Sequence, residues 1–165
     1  MSNTQFIWSV LTLAFCVAVA YFDIRFRRIP NRLLVSMLVI CLVLFSYASF
    51  ISKADSGFVI YWPAAFAGFF AALAFCFPFW RFGLVGAGDV KLLAVLGFMF
   101  GLHGLWQLAL VGCVLAGLHA LGLVMTRGRA ILGLWSHDKA LRIGVPLGAH
   151  LAAASLLWMF WLKNN

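Results

Sequence analysis

The sequence predicts an all-α, polytopic membrane protein of about six transmembrane helices, with both termini on the non-cytoplasmic side. Three observations carry this. Of 165 residues, 65% are hydrophobic and 10% are charged, where a soluble domain carries roughly 25% charged residues. Mean hydropathy is +1.07. The apolar residues fall in long runs separated by short basic stretches. So few polar residues cannot cover a soluble globule, and such hydrophobicity excludes disorder. A net charge of +8 would suit nucleic acid. Cations scattered between apolar runs instead suit loops facing anionic lipid, so membrane lipid is the expected partner and nucleic acid is not.

A span needs about 20 residues, so the chain is expected to form one integral-membrane domain over 1–165. The first apolar run covers about 6–22, and a polar stretch at 23–32 follows. The second run is 33–50, a short polar turn occupies 52–57, and the third run is 58–80. A glycine-rich stretch at 81–91 leads into 34 apolar residues from Leu92 to Met125. That length is too great for one span. Lys91 precedes it and Arg127, Arg129, Lys139 and Arg142 follow it, so the positive-inside rule puts both its ends in the cytoplasm. A hairpin turning near Gly101-Leu102-His103-Gly104 satisfies this, with a short fourth span at about 90–102. A polar loop at 126–144 and a last span at 145–162 complete the layout. Of 12 basic residues, only Lys53 and Lys163 then fall outside. Trp8, Trp62, Trp80, Trp106, Trp158 and Trp161 lie near span ends, where indole rings favour the interface. Gly97-Phe98-Met99-Phe100-Gly101 is a spacing that lets two helices approach closely.

Cys16, Cys41, Cys76 and Cys113 each sit inside an apolar run and form no C-x-x-C pair. They read as packing thiols, and no metal or cofactor is expected. The first residues contain no basic segment, so a cleaved secretory signal is not expected. His103, His119 and His150 read as hydrogen-bonded packing residues. The expected location is the cytoplasmic (inner) membrane, crossed several times.

There are four acidic residues, Asp23, Asp55, Asp89 and Asp138, and no glutamate. Topology divides them. Asp55 and Asp138 fall in polar loops on opposite sides and read as solvated. Asp23 and Asp89 both border apolar helices at the cytoplasmic face, where an ionised carboxylate is costly and usually functional. Two carboxylates brought together can share a proton, one acting as base on water and the other as acid. That is the chemistry of an aspartic protease. Gly86-Ala87-Gly88-Asp89 places glycines just before the second carboxylate, which suggests left-handed backbone and close approach of a substrate.

These residues resemble a known family. Asp23 with the basic run ending Arg28-Ile29-Pro30-Asn31, then Gly86-Ala87-Gly88-Asp89-Val90-Lys91-Leu92-Leu93, and less specifically Gly144-Val145-Pro146-Leu147-Gly148, look like a type IV prepilin peptidase. This is a membrane aspartic protease of the Gly-x-Gly-Asp class, and the resemblance covers essentially the whole chain. It implies an endopeptidase that removes the basic leader of pilin-like precursors at the cytoplasmic membrane face, usually after a glycine. It implies Asp23 and Asp89 as the catalytic pair. Gly86 and Gly88 would shape the loop, Lys91 would orient or tune, and Asn31 joins them in the substrate- and loop-shaping set. Larger members carry a cysteine-rich region and methylate the new N-terminus. This chain shows no cysteine pair, so it resembles the short form, with methyltransferase activity not expected.

Helix dipoles add an expectation about the pair. Asp23 lies near a helix C-terminus and Asp89 near an N-terminus, which predicts Asp89 as the more readily ionised partner. A presenilin-like protease shares the Gly-x-Gly-Asp feature, but its first aspartate directly follows a tyrosine, whereas Phe22 intervenes here. The non-enzymatic alternatives are a pilus-assembly scaffold and a small transporter. A proton-coupled carrier would place its acids near mid-membrane, and these lie at the edge.

Overall fold

A computed structural model describes residues 3–51, 62–83, 85–133 and 146–164. Asp55 and Asp138 lie outside the described residues, as does most of the loop expected at 126–144. Five helices follow one another: α1 (Asn3–Phe26), α2 (Asn31–Ile51), α3 (Trp62–Arg81), α4 (Ala87–Gly133) and α5 (Leu147–Asn164). Among the described residues there is no strand. Phe6–Phe26, Trp62–Arg81 and Ala87–Met125 are long and apolar enough to cross a membrane, and Asn31–Tyr47 and Leu147–Met159 are shorter apolar helices.

Each helix ends for a local reason. α1 stops where Arg27 takes a left-handed conformation, φ 53°, and donates its N–H to the Asp23 carbonyl at 3.0 Å. Pro30 cannot continue a helix from that side, and its carbonyl instead starts α2 by accepting from Leu33 at 3.1 Å. α3 tolerates Pro78 near its end and closes at Gly83, whose φ is 72°. Gly86 opens α4, its carbonyl accepting from Asp89 and Val90 at 3.1 and 3.2 Å. Pro146 opens α5 by accepting from His150 at 3.3 Å.

α4 is two helices in one. Gly101 has φ 70° and ψ −179°, a conformation open to glycine and costly for any side chain. The chain reverses there. A straight helix would separate residues 89 and 119 by about 45 Å. Yet His119 hydrogen-bonds His150, Ala149 hydrogen-bonds Asp23, and Asp23 is near enough to Asp89 for their charges to interact. Leu105 also packs in one cluster with Ala72 and Ala94. The hairpin expected near Gly101 is therefore present, with one arm over 87–100 and the other over 102–133. The second arm continues past Met125, where a loop was expected. Thr126-Arg127-Gly128-Arg129-Ala130-Ile131-Leu132 contains no proline and several good helix formers.

The first arm is the axis of the bundle, buried continuously from Ala94 to Phe100. α3 lies closely along it. A Cβ on Gly97 would sit 2.7 Å from the Gly68 carbonyl carbon, and one on Gly68 would sit 2.8 Å from Gly101. The Gly97–Gly101 spacing thus works as expected, letting backbones touch. α5 packs on α1 and α4, while α2 packs more lightly, on α4 and α1. The outward faces are apolar: Val39, Phe70, Phe75 and Leu118 are all exposed. Such a rim suits lipid rather than water. Cys16, Cys41 and Cys76 are buried as expected, whereas Cys113 is exposed on this rim.

Candidate active site

The carboxylate end of the bundle gathers the end of α1, the starts of α2, the first arm of α4, and α5. Asp23 occupies the last turn of α1 and is only 7% exposed. Its Oδ2 accepts the backbone N–H of Ala149 at 2.9 Å. Ala149 lies in the first turn of α5, one of the positions whose N–H has no partner within its own helix. A Ser, Thr, Asp or Asn just before the helix usually fills this need. Here Pro146 stands there, and Asp23, 126 residues away, does so instead.

Asp89 occupies the first turn of α4, half-buried, where the helix N-terminus faces it. It is not the capping residue, since Gly86 holds that place. A Cβ on Gly86 would lie 3.2 Å from Asp89 Oδ2, so the carboxylate would have to give by a few tenths of an ångström. Gly88 differs: a Cβ there meets only Ile29, at an ordinary 3.8 Å. Neither Gly86 nor Gly88 has positive φ; among the described residues, only Gly83 and Gly101 do among the glycines. The left-handed loop expected before Asp89 is therefore a plain helix start.

Asp23 and Asp89 interact electrostatically, so the structure brings the two expected carboxylates into one site. Among the described residues no metal-binding cluster of three or more His, Cys or acidic side chains exists. The dipole asymmetry expected between the two aspartates loses its basis. Asp23 does end α1, but the N-terminus of α5 faces the same carboxylate and acts in the opposite sense.

Lys91 and Asn31 also meet. Lys91 Nζ donates to Asn31 Oδ1 at 3.0 Å, tying the start of α2 to the start of α4. The pair stands at the mouth of an apolar groove of about 330 Å³ between α2, α3 and the first arm, lined by Leu34, Leu38, Phe69 and Val95 among others.

Two contributors were not expected from sequence. Gly148 lies against Asp23: a Cβ there would be 3.0 Å from both Asp23 Oδ2 and Ile29 Cδ1. Ile29 therefore sits beside Asp23, wedged between Gly148 and the start of α4 at Gly88. The Pro146-Leu147-Gly148 stretch was the sequence signal for this region.

Residues 10–121 match the type IV leader peptidase family. The chain belongs to that family. It is also similar to the prepilin leader peptidase/N-methyltransferase of Bacillus subtilis (strain 168), 31% identical over 149 residues, which cover 90% of this chain and 53% of that protein. The chain thus spans about half the length of that curated relative. No solved structure matches it. The family match includes Asp23, Asn31, Gly86, Gly88, Asp89 and Lys91.

Proposed function

We propose that this membrane protein is an aspartic endopeptidase that removes the basic leader of type IV pilin-like precursors at the cytoplasmic face of the inner membrane. The observation that carries the proposal is that Asp23 and Asp89, from opposite halves of the family match, lie at one end of a helical bundle on either side of Ile29, near enough for their charges to interact. In such a pair one carboxylate is ionised and takes a proton from water as its oxygen attacks the scissile carbonyl carbon. The other carboxyl gives its proton to the carbonyl oxygen. Collapse of the tetrahedral intermediate breaks the C–N bond: the departing amine takes the first proton, and a hydroxyl of the intermediate returns its proton to the second carboxylate, which restores the pair. No metal or cofactor is required, and the proposal is confined to peptide cleavage.

In this reading the six helical segments, counting the two arms of α4 separately, all cross the bilayer, with both termini outside. The reversal at Gly101 and the distribution of basic residues support that orientation. A peptide bond inside a transmembrane helix is hydrogen-bonded and hard to reach. Cleavage at the membrane edge needs only local unwinding, which a glycine at the end of the leader eases. The apolar groove that Lys91 and Asn31 help to line would take the apolar segment that follows the leader.

The test is co-expression with a pilin-like precursor, scored by loss of the leader. The wild-type chain is expected to shorten the precursor, and Asp23→Asn and Asp89→Asn are each expected to leave it full length. Processing that survives either substitution refutes the dyad.

A further inference from the structure

A second polar cluster is centred on His150, the residue after Ala149, and the dyad does not use it directly. His150, in the first turn and a half of α5, turns its ring back on that turn: Nδ1 lies 2.6 Å from the Pro146 carbonyl oxygen. The same carbonyl accepts the His150 backbone N–H at 3.3 Å. A carbonyl only accepts, so Nδ1 of His150 is the donor, and in the neutral ring Nε2 is the acceptor. His119, on the second arm of α4, lies with its Nδ1 3.1 Å from that Nε2, and its Nδ1–H is therefore the donor. One chain of contacts results. The second arm of α4 holds His119, His119 holds His150, and His150 holds the Pro146 carbonyl. That carbonyl closes the first turn of α5, whose Ala149 N–H holds Asp23.

The first turn of α5 packs directly on the carboxylate: Gly148 lies so near that a Cβ there would be 3.0 Å from Asp23 Oδ2, and the Ala149 N–H reaches the same oxygen at 2.9 Å, so a shift of that turn moves or releases the carboxylate. Pro146 supplies no capping side chain to fix that turn by itself. We infer that His150, braced by His119, is a positioning residue that sets the orientation of the Asp23 carboxylate through the first turn of α5. The inference rests on the reading of Asp23 as half of a catalytic dyad. It assigns the histidine pair a role in the cleavage step rather than in substrate binding.

The test uses the full chain in detergent or nanodiscs with a pilin-like precursor, comparing His150→Phe, His150→Asn, His119→Phe and His119→Asn. Phenylalanine keeps the ring and removes its polar atoms. Asparagine places an amide N–H near the position of Nδ1. His150→Phe is expected to lower kcat by about tenfold to a hundredfold with KM little changed. His150→Asn is expected to recover most of kcat, and His119→Phe to show a smaller loss in the same sense that His119→Asn restores. The amide proton resonance of Ala149 gives a readout independent of activity. It is expected to move in His150→Phe in the direction it moves in Asp23→Asn, and to return in His150→Asn. Wild-type kcat in His150→Phe, a loss confined to KM, an Asn variant no better than Phe, or an unmoved Ala149 resonance would each overturn the inference. Should Asp23→Asn still process precursor, the dyad reading falls, while the Ala149 resonance still reports whether His150 sets the contact to Asp23.

Discussion

The two ends of the bundle are built from different materials. Away from the carboxylates, aromatic rings do the packing. Trp8 stacks on Phe45, Phe45 meets Trp62 and Phe98, and Trp62 Nε1 donates to Ser49 Oγ at 3.0 Å. Nearby, Trp158 Nε1 donates to Gln107, and Phe100 packs edge-on to Trp158. At the carboxylate end the aromatic contacts, Tyr21 with Phe22 and Phe26 and Phe77 with Trp80, lie mostly on exposed faces, and the close contacts around the carboxylates are made by Gly86, Gly148, the Ala149 N–H and the Pro146 carbonyl. Large rings fill space and hold helices together by many weak contacts. Backbone groups and glycines fix a carboxylate within tenths of an ångström and leave room beside it. The aromatic end therefore supplies stability, and the carboxylate end gives up packing to place two acids near each other.

That contrast can be broken at either end. Gly148→Val pushes a branched side chain into Asp23 and Ile29. Leader removal should fall about a hundredfold, because a displacement of about 1 Å suffices for that. The helix content by circular dichroism should stay unchanged. A variant that processes normally would mean that the α5 contact does not matter to Asp23. Phe98→Ala removes a ring that is 2% exposed and touches Phe45, Phe66 and Phe69. It should cost about 3 kcal/mol of stability, seen as a lower Tm in detergent, while kcat per folded molecule stays near wild type. Equal damage to kcat would blur the division between the two ends.

Smaller effects sharpen it. Lys91→Met removes an exposed hydrogen bond to Asn31, worth about 1 kcal/mol. A severalfold loss of processing is expected, measured as initial rate at fixed precursor. Abolition would instead place Lys91 in the chemistry. Asp55→Asn and Asp138→Asn remove the other two carboxylates. Each should leave the rate within about twofold, as the sequence reading of both as solvated loop residues implies.

Much of the fold was legible in the sequence. The long apolar runs gave the helices, the basic residues around 92–125 gave the reversal, and the acid count gave Asp23 and Asp89. Local chemistry carried those signals. The contacts that finish the site were not legible. Ala149 reaches Asp23 through a backbone N–H, which has no side-chain signature, across 126 positions. The same contact brings a second helix terminus to Asp23, which no reading of α1 by itself could reveal. The glycines before Asp89 misled in detail. Gly86 stands out for its closeness to a carboxylate rather than for its backbone conformation. The extension of α4 to Gly133 has no charge signature, because arginines within a helix and arginines in a loop carry the same charge.

The central claim is that Asp23 and Asp89 act as one unit. Residues that act together are strongly non-additive when removed. The most direct measurement is the single-turnover rate of leader removal by Asp23→Asn, Asp89→Asn and the double variant, on one purified precursor. The account predicts that all three fall to the same residual rate. A single variant that retains substantial activity, or a double variant slower by the product of the two single losses, would contradict it.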